Sequence, residues 1–263
     1  MIKLIDGQAL LDESAARLSK GEKTNFFFSE EEIFQLVKFE KISRLDYDGC
    51  VYFFVEEQDA YRLHYFLEKE KSLHPLPVLQ QPVIVEEIYL EKKERMPSEE
   101  SWKAIGFMPY LERKRLYLMA KNIVFEERIL CFATEEMLEE IFGLMNDSFE
   151  PLTSALPTKE AFCKDIQAQK VLVSLQDEQI IGFLHFADEK QSSVLWHIAV
   201  APNARGLGVA DGLLKDWFFA KKESVKKFML WVRIDNPPAL RMYEKHGFLP
   251  DGRRAPVMIK NFK

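Results

Sequence analysis

From about residue 127 onward, the spacing of apolar and polar positions changes between two periods, one typical of strands and one typical of helices. Helices are predicted where a capping residue precedes apolar positions three or four residues apart, and strands where short apolar runs end at turn residues. The predicted elements are, in chain order, strand 128–133, helices 134–146 and 158–168, strands 171–175, 180–186 and 194–200, helix 206–222, strand 228–234, helix 237–245 and strand 257–260. This order predicts an α/β protein with a mixed sheet and helices on both of its faces.

The first half of the chain repeats part of this pattern. Residues 102–109 (Trp-Lys-Ala-Ile-Gly-Phe-Met-Pro) align with residues 243–250 (Tyr-Glu-Lys-His-Gly-Phe-Leu-Pro) at a fixed offset. A predicted helix, 58–69, and a predicted strand, 82–90, precede the first segment in the same order as in the second half. The chain is therefore predicted to hold two copies of one unit. A chance similarity between two capped helices is the alternative.

A glycine-rich turn lies between the predicted strand 194–200 and the helix that follows it. Its sequence at 205–210 is Arg-Gly-Leu-Gly-Val-Ala. Backbone N–H groups in such a turn point outward, and the positive end of the helix dipole lies behind them. Glycine lacks a Cβ atom, so a ligand can approach the backbone closely and a positive φ costs little. The turn therefore indicates a phosphate or pyrophosphate site, although an ordinary helix N-terminus has the same features.

The helix predicted at 237–245 carries clear signals at both ends. Asn236 stands at the N-cap position, proline follows in the first turn, and Gly247 stands where helices turn into the left-handed region. Ala239 and Tyr243 share one face because they are four residues apart. By itself, this is the pattern of an amphipathic helix with a tyrosine in the core.

Together, the glycine turn and the capped helix resemble the GNAT superfamily of acyl-CoA N-acyltransferases. The turn is similar to the family's Gln/Arg-x-x-Gly-x-Gly/Ala loop, and residues 236–248 match its Asn-x-x-Ala-x-x-x-Tyr-x-x-x-Gly-Phe signature. The resemblance extends over residues 127–263. It implies a mixed, mostly antiparallel sheet flanked by helices, whose fourth and fifth strands, 194–200 and 228–234, splay apart.

The resemblance also implies which residues contact acetyl-CoA, which serves as co-substrate. In the family the pantetheine arm lies along the fourth strand and the pyrophosphate lies in the glycine loop. The residues at the matching positions are Ile198, Val200, Arg205, Gly206, Leu207, Gly208, Val209, Ala210 and Asn236. For Asn236, a plain N-cap is the alternative role.

Acyl transfer to an amine needs one group that protonates the departing thiolate and another that takes a proton from the ammonium. By resemblance, Tyr243 lies near the CoA sulfur as the general acid, because a phenol of pKa about 10 can protonate a thiolate. Many family members carry a glutamate base on the fourth strand, but the matching positions here hold Ser192 and Val194. His197 is the predicted base and His185 a weaker candidate. A base from the first half of the chain and a structural, carbonyl-bonded His197 are the alternatives.

The two predicted domains, 1–122 and 123–263, differ where cofactor chemistry is expected. Segment 55–60 of the first (Val-Glu-Glu-Gln-Asp-Ala) has three acids and no glycine, and like charges there would repel a pyrophosphate. Trp102 stands where the second domain has Tyr243. The first domain is therefore predicted to be a degenerate GNAT-like copy that binds no CoA and has a structural or acceptor-pocket role. The second is predicted to be the acetyltransferase domain.

The composition of the chain limits which classes of molecule we expect as partners. The chain has 263 residues and a formal net charge of −6. This charge disfavours nucleic-acid or membrane binding, because phosphate contacts need a basic face, and it is compatible with a cationic amine. We expect a small-molecule or terminal-amine acceptor, no nucleic-acid partner and no membrane partner. No Cys/His cluster has metal-ligand spacing, so no metal is expected. A monomer and a homodimer are both compatible with the sequence.

The chain begins Met-Ile-Lys-Leu-Ile-Asp-Gly, with neither a basic region nor a long apolar run. We therefore expect no signal peptide or membrane helix, and a cytoplasmic location. The leading functional prediction is transfer of an acyl group, most simply acetyl, from acyl-CoA to a primary amine by direct attack in a ternary complex. A non-catalytic acyl-CoA sensor or scaffold is the alternative, and an aminoacyl-tRNA-dependent transferase is a third that the acidic charge disfavours.

Overall fold

The computed structural model describes residues 2–3, 6–93 and 97–262. Met1 and residues 4–5, which belong to the segment used for the signal-peptide prediction, lie outside the described residues. Within the described ranges, no helix combines the length and the apolar character needed to cross a membrane.

The chain forms two compact units, and the first comprises residues 1–113 and 252–263. The elements of this unit are β1 (Ile2–Lys3), α1 (Gly7–Ser19), β2 (Lys23–Thr24), α2 (Glu30–Lys38), β3 (Ile42–Tyr47), β4 (Cys50–Glu56), β5 (Tyr61–Leu67), β6 (Val83–Glu86), β7 (Tyr89–Leu90), α3 (Glu99–Ala104), the beginning of β8 (Met108–Met119) and most of β13 (Leu249–Lys260). Its main strands lie in the order β1-β3-β4-β5-β6-β13, with β2 beside β5 and β7 beside β13.

Strand β4 runs through the middle of this unit and is buried on both faces. Its side chains alternate between two hydrophobic clusters, so that Cys50, Tyr52 and Phe54 enter one cluster. Val51, Phe53 and Val55 enter the other. A strand covered on both faces has a continuous apolar sequence rather than an alternating one, as residues 50–55 do.

The predicted helix 58–69 is wrong, because β5 occupies most of this segment. Four of its seven residues (Tyr-Arg-Leu-His-Tyr-Phe-Leu) are aromatic or histidine, and aromatic side chains favour a pleated, half-buried surface. β5 pairs with β4 along its whole length, from Tyr61 opposite Glu56 to Leu67 opposite Cys50. β5 then runs parallel to β6, and the connection 68–82 contains neither helix nor strand.

The second unit comprises residues 114–251. After the end of β8, its elements are α4 (Leu138–Ser148), α5 (Lys159–Gln167), β9 (Val171–Gln176), β10 (Gln179–Glu189), β11 (Ser192–Val200), α6 (Val209–Lys221), β12 (Lys227–Arg233), α7 (Pro237–Lys245) and the beginning of β13, with short 3-10 helices at Ala120–Asn122, Glu135–Met137 and Pro202–Ala204. The strands lie in the order β8-β12-β11-β10-β9.

Helices cover both faces of the second sheet. Leu213, Leu214 and Trp217 of α6 pack with Tyr243 of α7 in one cluster. On the other face, Ile141 and Met145 of α4 and Phe162 and Ile166 of α5 form a second cluster. The predicted α/β class, with two mixed and mostly antiparallel sheets flanked by helices, is confirmed.

The predicted strand 128–133 is wrong for most of its length. Phe132 forms a single antiparallel bridge with Leu172 of β9. Ile129 is almost fully exposed, whereas Leu130 packs against the hydrophobic cluster beneath α6 and α7 without pairing to a strand.

Two strands, β8 and β13, lie in one half of the chain and pair in the unit that the other half mainly forms; we call them the closing strands. In the first unit β6 pairs with residues 257–260 of β13, from Val83 opposite Lys260 to Glu86 opposite Val257. In the second unit β12 lies beside β8, which comes from the first half of the chain. The compact units are therefore not the two continuous segments 1–122 and 123–263, because each takes its last strand from the other half of the chain.

Candidate active site

Strands β11 and β12 form a fork in the second unit. They pair in parallel from Ser192 and Lys227 to Leu195 and Leu230, and the ladder ends there. Both strands continue, β11 to Val200 and β12 to Arg233. The backbone groups of these continuing segments are available for a ligand that lies between them as an additional strand.

A β-bulge at Trp196 sets the direction of the strand beyond the fork. β10 pairs His185 with His197 and Phe186 with Leu195, so Trp196 has no residue opposite it. Further along, the N–H of Ala201 donates to the C=O of Ile181 on β10 at 2.9 Å. Backbone polar groups alternate between the two sides of a strand, so those of residues 198 and 200 face β12 and the open side of the fork.

The glycine turn follows directly, between β11 and α6. Gly206 and Gly208 both have φ of +81°, a conformation that other residues rarely adopt. A Cβ atom at either position would meet nothing within 4 Å, so the space above the turn is open. Gly208 is the N-cap of α6 and provides no side-chain cap. The first N–H groups of α6, beginning at Val209, therefore remain available to an anion.

Gly182 of β10 holds α6 close to the sheet. A Cβ atom there would lie 2.9 Å from Cγ1 of Val209 and 3.0 Å from the carbonyl oxygen of Ala199. Because real Cβ contacts are longer, any larger residue at 182 would push the beginning of α6 outward. The position of the turn thus depends on a glycine that belongs to neither sequence motif.

Two charged side chains near the turn have partners within the protein. The Nε–H of Arg205 donates to the carbonyl oxygen of Val200 at 3.2 Å, so this side chain lies against the end of β11. Asp211, in the first turn of α6, binds Nζ of Lys245 at 2.8 Å and Nε2 of His246 at 2.7 Å. The hydrogen bond from Lys245 lowers the pKa of Asp211 below its usual range. These partners offset a negative charge that would otherwise lie beside an anion site.

Tyr243 lies in the core on the α6 and α7 side of the sheet. It is 4% exposed and contacts Phe248 edge to face, with ring centroids 5.7 Å apart. Among the described residues, the Tyr243 hydroxyl has no hydrogen-bond partner. Burial raises the pKa of Tyr243 well above its usual value of about 10. The phenol therefore stays protonated at neutral pH and can act as a donor.

Asn236 caps α7 as its sequence position predicts. Its Oδ1 accepts a hydrogen bond from the N–H of Ala239 at 3.2 Å. The structure thus accounts for this residue by its N-cap role.

His197 lies on the opposite side of β11 from Ile198 and is 3% exposed. Its Nε2 is 3.0 Å from the carbonyl oxygen of Ser154, in the loop between α4 and α5. Its Nδ1 is 3.2 Å from Nδ1 of His185, and Nε2 of His185 is 3.2 Å from Oδ2 of Asp165. Burial lowers the pKa of His197, and burial together with the neighbouring His197 lowers the pKa of His185 to about 4.

Comparison of this chain with known proteins agrees with the geometry of the fork and the glycine turn. Residues 136–248 match the model of the acetyltransferase (GNAT) family. This segment is a GNAT acetyltransferase domain. A mycothiol acetyltransferase from Brachybacterium faecium is 33% identical over 92 residues, which are 33% of this chain and 28% of that protein. The aligned part thus spans less than a third of the curated relative.

Solved GNAT structures share the fold over most of the chain. A GCN5-related N-acetyltransferase from Sphaerobacter thermophilus matches with a TM-score of 0.56 at 12% identity, covering 81% of this chain and 76% of that one. A tandem GNAT protein from the clavulanic acid biosynthesis pathway matches with a TM-score of 0.54 at 10% identity, covering 80% of this chain and 78% of that one. The matched part of this chain is longer than the second unit. The shared fold therefore includes part of the first unit, as the predicted tandem arrangement requires.

The first unit contains a fork of the same kind, but the side chain of Asn25 bridges it. The parallel pairing of β5 and β6 ends after Arg62 and Ile84. The Nδ2 group of Asn25 donates to the carbonyl oxygens of Leu63 on β5 and Glu86 on β6, both at 3.0 Å. Its Oδ1 accepts from the N–H of Tyr65 at 3.0 Å. One amide side chain therefore joins the two strands where their ladder ends.

Trp102, which aligns with Tyr243, also makes a hydrogen bond within the first unit. Its Nε1–H donates to Oε1 of the buried Glu87 at 3.1 Å, and the hydroxyl of Tyr65 donates to the same oxygen at 2.7 Å. This tryptophan is fully buried, and its indole N–H is used inside the unit.

Sequence reasoning missed two members of the histidine cluster, Asp165 and Ser154. Asp165 lies on α5, and only the packing of that helix on the sheet brings its carboxylate to His185. The bulge at Trp196 was also not foreseen, and without it His185 would lie opposite residue 196 rather than His197. In the described part of the chain, no group of three or more acidic, histidine or cysteine side chains is arranged to hold a metal ion.

Proposed function

We propose that this protein transfers an acetyl group from acetyl-CoA to a primary amine, and that the second unit carries the reaction. One observation carries the proposal: an open strand fork ends at a glycine turn that leads into a helix without a side-chain cap. The fork offers backbone groups to an extended chain, and the turn offers N–H groups to a pyrophosphate. These are the two parts of acetyl-CoA that a GNAT domain must hold.

In this proposal each predicted contact residue has a defined part. The N–H groups of residues 207–210 (Leu-Gly-Val-Ala) bind the pyrophosphate, and Gly206 leaves room for it beside the backbone. Ile198 and Val200 bind the pantetheine arm through their backbone groups, and the N–H of Ile198 polarises the thioester carbonyl. Arg205 moves from the Val200 carbonyl oxygen to the phosphate when the arm takes its place. Asn236 keeps its N-cap bond and presents its free amide protons to the cofactor.

The reaction follows by direct attack in a ternary complex. His197 takes a proton from the acceptor ammonium, which leaves an electron pair on nitrogen to attack the thioester carbon. Tyr243 donates its phenolic proton to the sulfur as the carbon–sulfur bond breaks. The unpartnered hydroxyl of Tyr243 and its raised pKa support this role, because an acid must be protonated before it can donate.

The acceptor is proposed to be a small molecule or a chain terminus that bears a primary amine. The net charge of −6 favours a cationic substrate over an anionic one. The filled fork at Asn25 supports the related inference that the first unit binds no CoA. The connection that follows β5, residues 68–82, has no glycine and no helix, whereas β11 is followed by the glycine turn and α6.

A second candidate is a non-catalytic acyl-CoA-binding module. The observation that favours it is the absence of a carboxylate at Ser192 and Val194, where many GNAT enzymes have their base. The two candidates share the cofactor site and differ only in turnover.

Calorimetry with acetyl-CoA, on the wild type and on Gly208→Glu, tests the cofactor site. The substitution should weaken binding by at least about 100-fold, or about 2.8 kcal/mol, because it adds a carboxylate beside the pyrophosphate and blocks the turn. Gly252→Glu is the matched control, because Gly252 has φ of +80° and equally open surroundings but lies in β13. Equal affinity in wild type and Gly208→Glu would remove the phosphate assignment.

Turnover separates the two candidate functions. Release of the free CoA thiol is followed with spermidine, with glucosamine and with a short peptide that has a free N-terminus. Thiol release that depends on any of these amines supports the transferase. Tight binding of acetyl-CoA without amine-dependent release supports the binding module instead.

A further inference from the structure

A chain of hydrogen-bonding groups runs through the interior of the second unit on the α4 and α5 side of the sheet. It begins at the carboxylate of Asp165, passes through the rings of His185 and His197, and ends at the carbonyl oxygen of Ser154. Its three links are 3.2, 3.2 and 3.0 Å long in that order. The two rings are nearly parallel, with an interplanar angle of 13°.

This chain of hydrogen bonds is one proton short when both histidines are neutral. Each of the three links needs one proton between its two heavy atoms, and the carboxylate and the carbonyl at the ends supply none. Two neutral imidazoles supply one proton each. Two neutral histidines therefore satisfy only two of the three links, and one more proton completes the chain. Until it arrives, two acceptors face each other at one of these short distances.

The surroundings favour the proton-deficient form. Phe149 contacts the His197 ring edge to face at 5.1 Å, and Phe162 and Trp196 contact the His185 ring at 5.1 and 5.3 Å. This apolar enclosure disfavours the charged imidazolium, which is why burial lowers the pKa of both rings. At neutral pH both rings are therefore neutral, and a nitrogen lone pair remains unprotonated at one of the three links.

Few charged groups act on the chain from neighbouring elements. Between α5 and β9, Lys170 donates from Nζ to the other oxygen of Asp165 at 2.8 Å. From the α4–α5 loop, Glu150 accepts from the N–H groups of Leu152 and Thr153. From α4, Glu140 accepts from the N–H of Ile180. The carboxylate that contacts a ring is therefore that of Asp165.

We propose that Asp165 and His185 are positioning residues which, together with His197, form a relay that accepts one proton from the acceptor amine; this rests on the proposed acetyl transfer. Before reaction, Asp165 accepts from Nε2–H of His185, and Nδ1 of His185 accepts from Nδ1–H of His197. This arrangement leaves the lone pair of His197 at Nε2, directed at the loop that carries Ser154. Nε2 is then the reactive atom of the relay.

The proton transfer balances without any other reactant. The ammonium N–H bond breaks, its electron pair stays on the amine nitrogen, and a new N–H bond forms at Nε2 of His197. That N–H donates to the carbonyl oxygen of Ser154, which completes the third link. The positive charge on the imidazole pair is opposed by the Asp165 carboxylate at the far end. The relay thus replaces the strand glutamate that Ser192 and Val194 do not supply.

Nitrogen-15 NMR of the histidine rings tests the relay without any acceptor. In the wild type we expect His185 and His197 to take up one proton together, in a single coupled titration below the ordinary pKa of about 6.5. In Asp165→Asn the pKa of this uptake should fall by about 1, because the opposing carboxylate is gone. Asp188→Asn is the matched control, because Asp188 pairs with Lys221 in the same unit. Two independent titrations that Asp165→Asn leaves unchanged would overturn the proposal.

A second variant keeps the test decisive if Asp165→Asn does not fold. Lys170→Met removes the cation from Asp165 and leaves all three links in place. It should raise the pKa of the coupled uptake, which is the opposite direction. A structural role for Lys170 would lower the melting temperature without moving this pKa.

The failures of the relay and of the proposed function are distinguishable. The NMR titration is independent of acetyl-CoA, so an unchanged titration overturns the relay even if the enzyme is active. Where an amine is turned over, Asp165→Asn should lower the plateau of kcat and move the acidic limb of its pH profile to lower pH. A merely structural role would lower kcat at every pH and leave the limb in place.

Discussion

In both units a parallel strand pair separates part-way along its length, β5 from β6 in the first and β11 from β12 in the second. In the first unit the side chain of Asn25 supplies the missing hydrogen bonds within the chain itself. In the second unit no single described side chain bridges the two strands: Arg205 bonds only the carbonyl oxygen of Val200 on β11, and the adjoining helix has no side-chain cap. This difference supports the proposal that only the second fork binds a ligand, because its backbone groups are not bridged within the protein.

The aligned aromatic residues of the two units differ in the same way. The indole N–H of Trp102 is bonded to Glu87, whereas the hydroxyl of Tyr243 has no partner among the described residues. A group that is already bonded stabilises the fold, and one that is not remains available for chemistry. Three substitutions test this contrast between the units.

The largest effect is expected at Tyr243. Tyr243→Phe should lower kcat by about 100-fold, because the departing thiolate loses its proton donor, and should leave acetyl-CoA affinity unchanged. The free energy of unfolding should not fall, because no hydrogen bond is lost. Trp102→Phe is the control in the first unit: it should leave kcat unchanged and lower the free energy of unfolding by about 1–3 kcal/mol. Steady-state kinetics and urea unfolding measure both, and an unchanged kcat in Tyr243→Phe would end its assignment as the acid.

The next effect is expected at Asn25. Asn25→Ala removes three hydrogen bonds between β5, β6 and the segment after β2. At about 1 kcal/mol each, the free energy of unfolding should fall by about 3 kcal/mol. Asn203→Ala, at an exposed position beside the glycine turn, should change it little. Calorimetry of Asn25→Ala should still give one acetyl-CoA per chain. A stoichiometry of two would mean that the Asn25 side chain was the only group preventing the first fork from binding acetyl-CoA.

The smallest effect is a pH dependence of stability at His64. Its Nδ1–H donates to the backbone carbonyl oxygen of Asn25, and burial lowers its pKa to about 4. The unfolded chain, with an ordinary pKa of about 6.5, binds this proton before the folded chain does. His64 thus contributes to the loss of stability as the pH falls from about 6.5 to 4. His64→Gln should flatten that loss by about 2 kcal/mol in urea unfolding at both pH values. Equal slopes in wild type and variant would contradict the lowered pKa.

The elements around the candidate active site could be predicted because neighbouring residues determine their ends. The proline and the N-cap Asn236 begin α7 where the sequence indicates, and Thr158 begins α5 by the same means. The glycine turn was predictable for a related reason, since two positive-φ residues so close together favour glycine. In these places a few neighbouring residues determine the backbone.

Features that depend on distant partners could not be predicted. The sequence predicts a helix over residues 58–69, yet pairing with β4 makes most of this segment a strand. The juxtaposition of His185 and His197 depends on a one-residue bulge, which shifts the register without any sequence signal of its own. Asn25 reaches the first fork from about 40 residues away along the chain, a separation that no local pattern encodes.

The exchange of closing strands has a consequence for synthesis on the ribosome. β6 is complete once residue 86 has been made, but its partner β13 ends at residue 260. One edge of β6 in the first unit therefore stays unpaired until residue 260 has been translated. In the second unit, β8 comes before the other strands in the chain, so it is already present when they are translated. Although it comes later in the chain, the half with the candidate active site can complete its sheet before the half that precedes it.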